Sequence, residues 1–405
     1  MTEGPYKLPE GWRWVRLGKV CDIISGFAFK ASDFNTCGLG MPVIKIGDID
    51  KQTTEAYYSG SCERLPVVEP GDLLVGLTGS FKVATWQGPR ALLNQRVAKI
   101  GVKNKSCYAK WLELAISFSI QGLVREIPEA TVKNVLVRHL KAHPIPLPPL
   151  SEQRRIVARI EELMARVREA RRLHQEALED AERLWQSVLA DTFPRPGQDL
   201  PKGWRWVRLG EVCRHKTGIW GPEAPDSSKG FPVVRSTEIH GMVLMPQKAS
   251  VRAIRSKQIW AYKLEAGDIL INKSSGSPHL VGWPAIFEDP HDGRTYLFSN
   301  FMLRLRPEKE LLEPWFLLFY LHSPIARSLY LGAQDTTSGL RNLRIRDFME
   351  QSVPLPPLSE QRRIVTYLEA VQERIRALKT GQSATEAELT RLEQSILDKA
   401  FRGEL

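Results

Sequence analysis

PLPPLSEQRRIV occupies residues 146–157, and the same letters return without a change at 354–365. Chance does not supply that, and a second pair agrees. LPEGWRWVRLGKVC at 8–21 returns as LPKGWRWVRLGEVC at 200–213, differing only at Glu10/Lys202 and Lys19/Glu211. The chain is an internal duplication, which has to be settled before any fold is assigned. The copies lie 192 residues apart at the start (8 to 200) and 208 at the end (146 to 354). Material between the fixed ends therefore differs in length, and only fragments of it correspond. PVIKIGDI at 42 matches PVVRSTEI at 232, EPGDLLV at 69 matches EAGDILI at 265, and VKNVLVRHL at 132 matches LRNLRIRDF at 340. A scaffold was kept while its cargo diverged.

Beyond the identical string the spacing no longer changes, so RLWQSVL at 183 falls on RLEQSIL at 391. Each half is one variable globular segment followed by one helix of fixed length. In the first helix Ile156, Ile160, Leu163, Val167, Ala170, His174, Ala177, Ala181, Leu184 and Val188 follow a four-three alternation, the seam of a coiled coil. In the second the seam is Ile364, Leu368, Val371, Ile375, Leu378, Gln382, Thr385, Leu389, Leu392 and Ile396, apolar at both ends and weak in the middle. Ser151 and Ser359 follow Pro-Pro-Leu and suit the N-cap. About 40 helical residues give a rod of about 60 Å. The economical partner for each stripe is the other, antiparallel because a variable segment has to run from the end of one helix to the start of the next. Repeated, that arrangement is a pseudo-twofold object with one globular domain near each end. The alternative packs each helix on its own domain. Gly381 is a place where the second helix can bend.

Length and composition bound the rest. With 405 residues, 42% hydrophobic and 25% charged, the chain has an ordinary globular composition with room for two cores. Nothing at the N-terminus reads as a signal peptide, and 311–324 is too short and interrupted to span a bilayer, so a cytoplasmic protein without a membrane partner is expected. Cys21, Cys37, Cys62, Cys107 and Cys213 show no CxxC spacing and read as buried free thiols. The net charge of +11 favours a polyanionic partner.

The variable segments read as mixed α/β modules. Runs such as MPVIKI, GDLLVGL and RVAKIGV, or FPVVRS, GDILINK and FMLRLRP, are strands separated by Gly, Pro and Asp turns. One helical patch follows in each, at 108–120 and at 313–331, with Pro314 in a tolerated first-turn position. Contact residues are expected where strands run into polar, basic loops. In the first module these are Thr78, Ser80 and Lys82 of GLTGSFK, with Lys30, Lys45, Gln95 and Arg96. In the second they are Lys273, Ser274, Ser275, Ser277 and His279 of INKSSGSPH, with Arg235. Hydroxyls and amides on such loops suit phosphate oxygens, and Arg, Lys and Gln suit base edges. For any one of them the plain alternative is a solvated turn.

Catalytic constellations are missing. There is no GxxxxGK[ST] phosphate loop, no NPPY-like or DPPY-like tetrapeptide, no dinucleotide fingerprint, no histidine set at metal-ligand spacing and no persuasive acidic nuclease cluster. No metal, cofactor or catalytic residue is expected.

Two diverged modules, each opened by GWRWVRLG and closed by PLPPLSEQRRIV and a long heptad helix, with SGFAFKASDF at 25 in the first, resemble the specificity subunit of a type I restriction-modification system. The second module departs at RHKTGIWGPEAPDSSKG, 214–230, where SGFAFKASDF finds no counterpart. The resemblance implies an α+β chain with target-recognition domains at 1–150 and 194–358 and conserved helices at 151–193 and 359–405. It implies that the helices form an antiparallel coiled coil between the domains. It implies further that each domain reads one half of an asymmetric, gapped site in double-stranded DNA. Two adenine methyltransferase subunits then dock on the chain, with restriction subunits able to add, and S-adenosylmethionine sits on the methyltransferase alone. Two other readings stay open: a stand-alone nuclease and a coiled-coil scaffold without a DNA role.

Overall fold

Two units divide the chain, Met1–His174 with Ala384–Leu405, and Gln175–Ser383. The structure, a computed structural model, describes residues 4–79, 81–103, 106–126, 135–224, 226, 230–277, 280–332, 334–337 and 340–405. The architecture is α+β, as the sequence implies. Each unit holds one variable module, the opening part of the long helix that follows it, and the closing part of the other long helix.

The repeated strings explain themselves in this setting. Arg13–Arg16 of the first opening string pairs antiparallel with Pro144–Leu147, Arg13 opposite Leu147. Arg205–Arg208 pairs in the same way with Ser352–Leu355, Arg205 opposite Leu355. RWVR is thus one strand of a two-stranded ribbon whose other strand, PIPL at 144–147 or SVPL at 352–355, runs into the start of PLPPL. The helices then run Leu150–Thr192 and Leu358–Arg402, the second continuing through Gly381. They start two residues earlier than the N-cap reading requires, so Ser151 and Ser359 lie in the first turn. The glutamines of SEQ carry the joint. Gln153 is fully buried; its Oε1 accepts from Tyr108 N–H at 2.7 Å, and its Nε2 donates to Ser106 O at 2.9 Å and Pro148 O at 2.8 Å. Gln361, equally buried, accepts from Glu313 N–H and donates to Leu311 O and Pro356 O, all at 2.8 Å. A backbone turn of the module is locked to the first turn of the helix by satisfying groups that burial would otherwise strand.

The seam holds in the first turns and then drifts. Ile156, Ile160 and Val167 are buried and Leu163 half-buried. Further on, the buried positions are Ala181, Trp185, Leu189 and Phe193, whereas Leu184 is 54% exposed and Val188 half-buried. An α-helix advances 3.6 residues per turn, so a strict 3.5-residue stripe rotates away from its partner unless the helix supercoils. Leu184 has rotated out and Trp185 in. In the second helix Ile364, Leu368, Ile375, Leu389 and Ile396 are buried and Val371 half-buried, while Leu378 and Leu392 are 57% and 48% exposed. Both proposed partners of the stripes are used at once. In the first unit Ile156, Val157, Ile160 and Val167 share one core with Trp111, Leu112 and Ile116 of their own module and with Leu389, Ile396 and Phe401 of the other helix. Numbers rise on one helix as they fall on the other: Arg155 Nη2 donates to Leu405 O at 2.7 Å, and Arg171 reaches Glu386 and Glu393, each at 2.9 Å. The helices are antiparallel there. In the second unit Lys379 pairs with Glu182 at 2.8 Å.

A phenylalanine at the end of each long helix, Phe401 in the last turn of the second and Phe193 just past the first, is set into a module core. Phe401 lies 4.9 Å from Trp111 and 5.0 Å from Phe118, between ring centroids. Phe193 lies 5.5 Å from Phe316 and 5.4 Å from Tyr320.

The modules share a strand plan. In the first, a four-stranded sheet has the order Cys21–Ser25, Val97–Val102, Leu73–Gly76, Val83–Thr85, and a five-stranded sheet carries Met41–Ile44 parallel to Ala91–Leu93. In the second, Cys213–Thr217, Met302–Pro307 and Ile269–Asn272 are neighbours in that order, and Phe231–Val234 is parallel to Leu297–Phe298. The GDLL and GDIL strands are buried on both faces: Leu73 and Val75 enter one core and Leu74 another, as do Ile269 and Ile271 against Leu270. Burial on both sides is why these runs read as unbroken apolar stretches. The patch at 313–331 is two helices, Pro314–His322 and Pro324–Leu331. The break falls at Ser323, whose Oγ accepts from Ala326 N–H at 3.2 Å, because Pro324 starts a helix better than it continues one. All five cysteines are free, but only Cys21, Cys107 and Cys213 are buried; Cys37 is exposed and Cys62 half-buried. Burial pushes the Cys21 thiol up to about 12 and that of Cys107 to about 11.

Candidate nucleic-acid interface

Backbone bonds gather four segments of the first module onto one edge. Phe27 N–H donates to Leu93 O and Gln95 N–H to Phe27 O, both at 2.8 Å; Asn94 N–H donates to Ile44 O at 3.2 Å and Leu77 N–H to Arg96 O at 2.9 Å. The exposed turn Gln95-Arg96 is thereby set among the ends of strands that carry Phe27, Lys45 and Thr78. Gly26 permits the approach, since a Cβ there would lie 2.1 Å from Asn94 O.

The second module builds the same edge from different letters. Gly218 N–H donates to Met302 O at 3.2 Å and Ile219 N–H to Phe298 O at 2.9 Å, and a Cβ on Gly218 would meet Phe298 O at 2.2 Å. Ser25-Gly26-Phe27 thus has a counterpart in Thr217-Gly218-Ile219, contrary to the sequence expectation. The shared feature is a glycine's missing side chain, which leaves almost no trace in a comparison of letters.

Each edge sets a cation over an aromatic ring. Lys45, exposed, holds its ammonium 4.6 Å from the centroid of Phe34, which sits with Phe29, Tyr58 and the half-exposed Phe27 in one aromatic group. Arg235 occupies the place of Lys45, its guanidinium 5.9 Å from the ring of Trp220, with Arg252 at 4.3 Å. Both cations are positioned by a carboxylate three residues on: Lys45 N–H donates to Asp48 Oδ2 at 2.8 Å and Arg235 N–H to Glu238 Oε2 at 2.7 Å. The Nε groups of Arg235 and Arg252 are buried without a hydrogen-bond partner among the described residues. Guanidinium groups held against a ring with donors to spare suit phosphate or base-edge acceptors. The aromatic members and Arg252 were not among the residues expected from sequence; the signal was the interleaving of aromatic and basic letters in the otherwise unmatched openings of the modules.

The other expected residues fall out differently. Lys30 is exposed on the same opening segment. Lys82 is half-buried and paired with Asp50. Thr78 is only 8% exposed, which withdraws its hydroxyl from contact, because the segment after the GDLL strand runs on into the core at Phe81. Ser80 and His279 lie outside the described residues. Lys273, Ser274, Ser275 and Ser277 are not on a free loop: Ser274–Ser275 pairs with Leu340–Leu343, which pairs in turn with Gln334–Thr337. Lys273 is half-buried there and burial lowers its pKa, while the strand brings the exposed Arg341 opposite Ser275. The pairing was invisible because its partner strand lies far along the chain.

No group of histidine, cysteine or acidic side chains suited to a metal ion occurs among the described residues. No helix among them is long and apolar enough to cross a membrane.

A family model described as the type I restriction modification DNA specificity domain matches twice, at 9–177 and 201–388. The EcoBI type I restriction enzyme specificity subunit of Escherichia coli is 28% identical over 99% of this chain and 88% of its own length. The corresponding EcoKI subunit of E. coli K12 is 23% identical over 98% and 90%. Among solved structures, a chain from a study of complex assembly and conformational transition of the type I R-M system has 32% identity, 99% and 100% coverage and a TM-score of 0.76. The HsdS subunit of Thermoanaerobacter tengcongensis has 34% identity over the whole of both chains and a TM-score of 0.58.

Proposed function

The chain belongs to the type I restriction modification DNA specificity family and is a specificity subunit, the non-catalytic component that recognises DNA; on that premise we propose that it reads a bipartite, gapped duplex site, one half per module. Neither module carries chemistry of its own. The two shared helices set the length of the unread gap, so that the modules address major grooves about 34 Å apart on one face of the duplex. Adenine methyltransferase subunits, two to a complex, dock on the chain, hold the S-adenosylmethionine and flip the target base; restriction subunits add to that complex. Such a complex works on DNA in the cytoplasm.

The observation that carries this reading is the pairing of one scaffold with two different contact edges. Both modules hold a glycine approach, a carboxylate-positioned cation and an aromatic ring, yet the groups are Lys45 over Phe34 in one and Arg235 with Arg252 around Trp220 in the other. Identical scaffolds with unlike readers give unlike half-sites. A scaffold protein without a DNA role has no use for that difference. Titrating the full chain with duplex DNA across a salt series tests it: affinity has to fall steeply as counterions are released, with a log–log slope that reports the phosphates neutralised. A flat salt response, or cleavage of the duplex by the purified chain with a divalent metal, contradicts it.

A further inference from the structure

Ser256–Tyr262 is a helix with no buried residue, and Trp260 on it is 81% exposed. Seven residues do not sustain a helix on their own in water, and here the exposed indole is set among cations. The segment 252–263, RAIRSKQIWAYK, has four cations and no acid. None of Arg252, Arg255, Lys257 and Lys263 is in an ion pair among the described residues; Lys263 lies 5.6 Å from the centroid of Trp260 and Arg252 lies over Trp220. Its place in the fold continues the edge described above. Tyr262 packs against Phe298 at 6.1 Å, the carbonyl of Phe298 holds Ile219, and Lys216 sits 4.8 Å from the ring of Tyr262.

Among the described residues the first module has nothing like it. There the strand Tyr57–Tyr58, which pairs with Met41–Ile44 as Ser250–Arg252 pairs with Phe231–Val234, is followed by SGSCERLP at 59–66, with one acid, one base and no helix. Packing within the second module holds the end of the insertion at Tyr262 and leaves Trp260 outside it.

We propose that the helix Ser256–Tyr262 is a second DNA-contacting element of the second module. Arg255, Lys257 and Lys263 bind phosphates on either side of a groove, and the indole of Trp260 lies flat against the sugar and base edge between them. This rests on the DNA-recognition reading above and adds to it an element that only one half-site meets. The charge argues for a polyanion over a protein surface, and the exposed ring argues for a contact that excludes water rather than for diffuse attraction alone.

The test uses the full chain, duplex DNA and two variants, Trp260→Ala and Lys257→Ala, whose side chains are exposed and whose thermal unfolding is expected to match the parent. Trp260→Ala weakens binding about tenfold at fixed salt. Lys257→Ala lowers the magnitude of the salt slope by about one. Parent-like affinity and slope in both variants, beside tight salt-sensitive binding by the parent, overturn the inference and leave the DNA reading intact. So does loss of co-purification with the methyltransferase subunit while duplex affinity is unchanged, since the patch then covers a protein. No salt-sensitive binding by the parent to any duplex overturns the wider reading instead.

Discussion

Replacing Gln361 with leucine removes one side chain and strands three backbone groups. Glu313 N–H loses its acceptor, and Leu311 O and Pro356 O lose their donor, each from a 2.8 Å bond made by a residue with no exposed surface. At about 1 kcal/mol for each group left unpaired, the loss is about 3 kcal/mol, reduced somewhat by the apolar surface that leucine buries. The loss falls on the joint between the second module and the second long helix. Urea unfolding of the full chain, followed by tryptophan fluorescence, reads it directly. With a slope of about 2 kcal/mol per molar, the transition of the second unit moves down by about 1–1.5 M. Gln361→Glu keeps an acceptor for Glu313 N–H but sets a carboxylate oxygen against two carbonyl oxygens, so its effect is expected to be at least as large. Gln153→Leu does the same to the first unit. Midpoints unchanged within about 0.3 M for both Gln361 variants would falsify the idea that this amide, rather than the surrounding apolar contacts, joins module to helix.

Phe401→Ala and Phe193→Ala each empty a site deep in a module core and cost about 3–5 kcal/mol, seen as an early unfolding step in the unit that receives the ring; an unshifted melt means the ring is dispensable. Stability falls with acid in the second unit, because burial holds His322 down to about 4 against an ordinary 6.5. The unfolded chain takes up a proton there first, so stability is complete above about pH 6.5 and is lost as the pH drops toward 4. Between pH 7 and 5 the loss is about 2 kcal/mol, and His322→Gln flattens that part of the profile. Arg96→Ala and Arg235→Ala each weaken duplex binding, the second with a change of preference in one half-site only; equal weakening on every sequence confines Arg235 to a phosphate. Seven residues inserted in both long helices at matched positions lengthen each by about 10 Å, and the gap in the target lengthens by about three base pairs or activity is lost.

What the sequence made legible is what repeats locally. PLPPLSEQRRIV announced the duplication and the long helix that follows it, while the strand at its start went unread and the helix begins before the serine expected to cap it. The seam of the first helix was legible through Val167, then misread by one position at Leu184 because heptad counting assumes 3.5 residues per turn and Trp185 was free to take the buried place. Strand existence was legible for GDLLV and GDILI. Their neighbours were not, since pairing Ser274–Ser275 with Leu340–Leu343 is a matter of long-range register. On the candidate edge, Lys45 and Arg235 were found from aligned fragments. Phe34, Trp220 and Arg252 were missed because the fold, and not the order of the letters, decides which cation lies over which ring. Thr78 was misplaced because burial of a hydroxyl depends on Phe81 turning the chain inward, at a positive φ of 47° that its letter does not announce.

The claim on which the account stands is that each module reads its own half of the target. Exchanging residues 12–145 for the equivalent module of another specificity subunit, and mapping the modified adenines in DNA from cells that express the hybrid with its methyltransferase, tests it most directly. The account predicts a gapped site in which one half is new, while the other half and the gap length match those of the parent. A contiguous site, or a change in both halves, contradicts it.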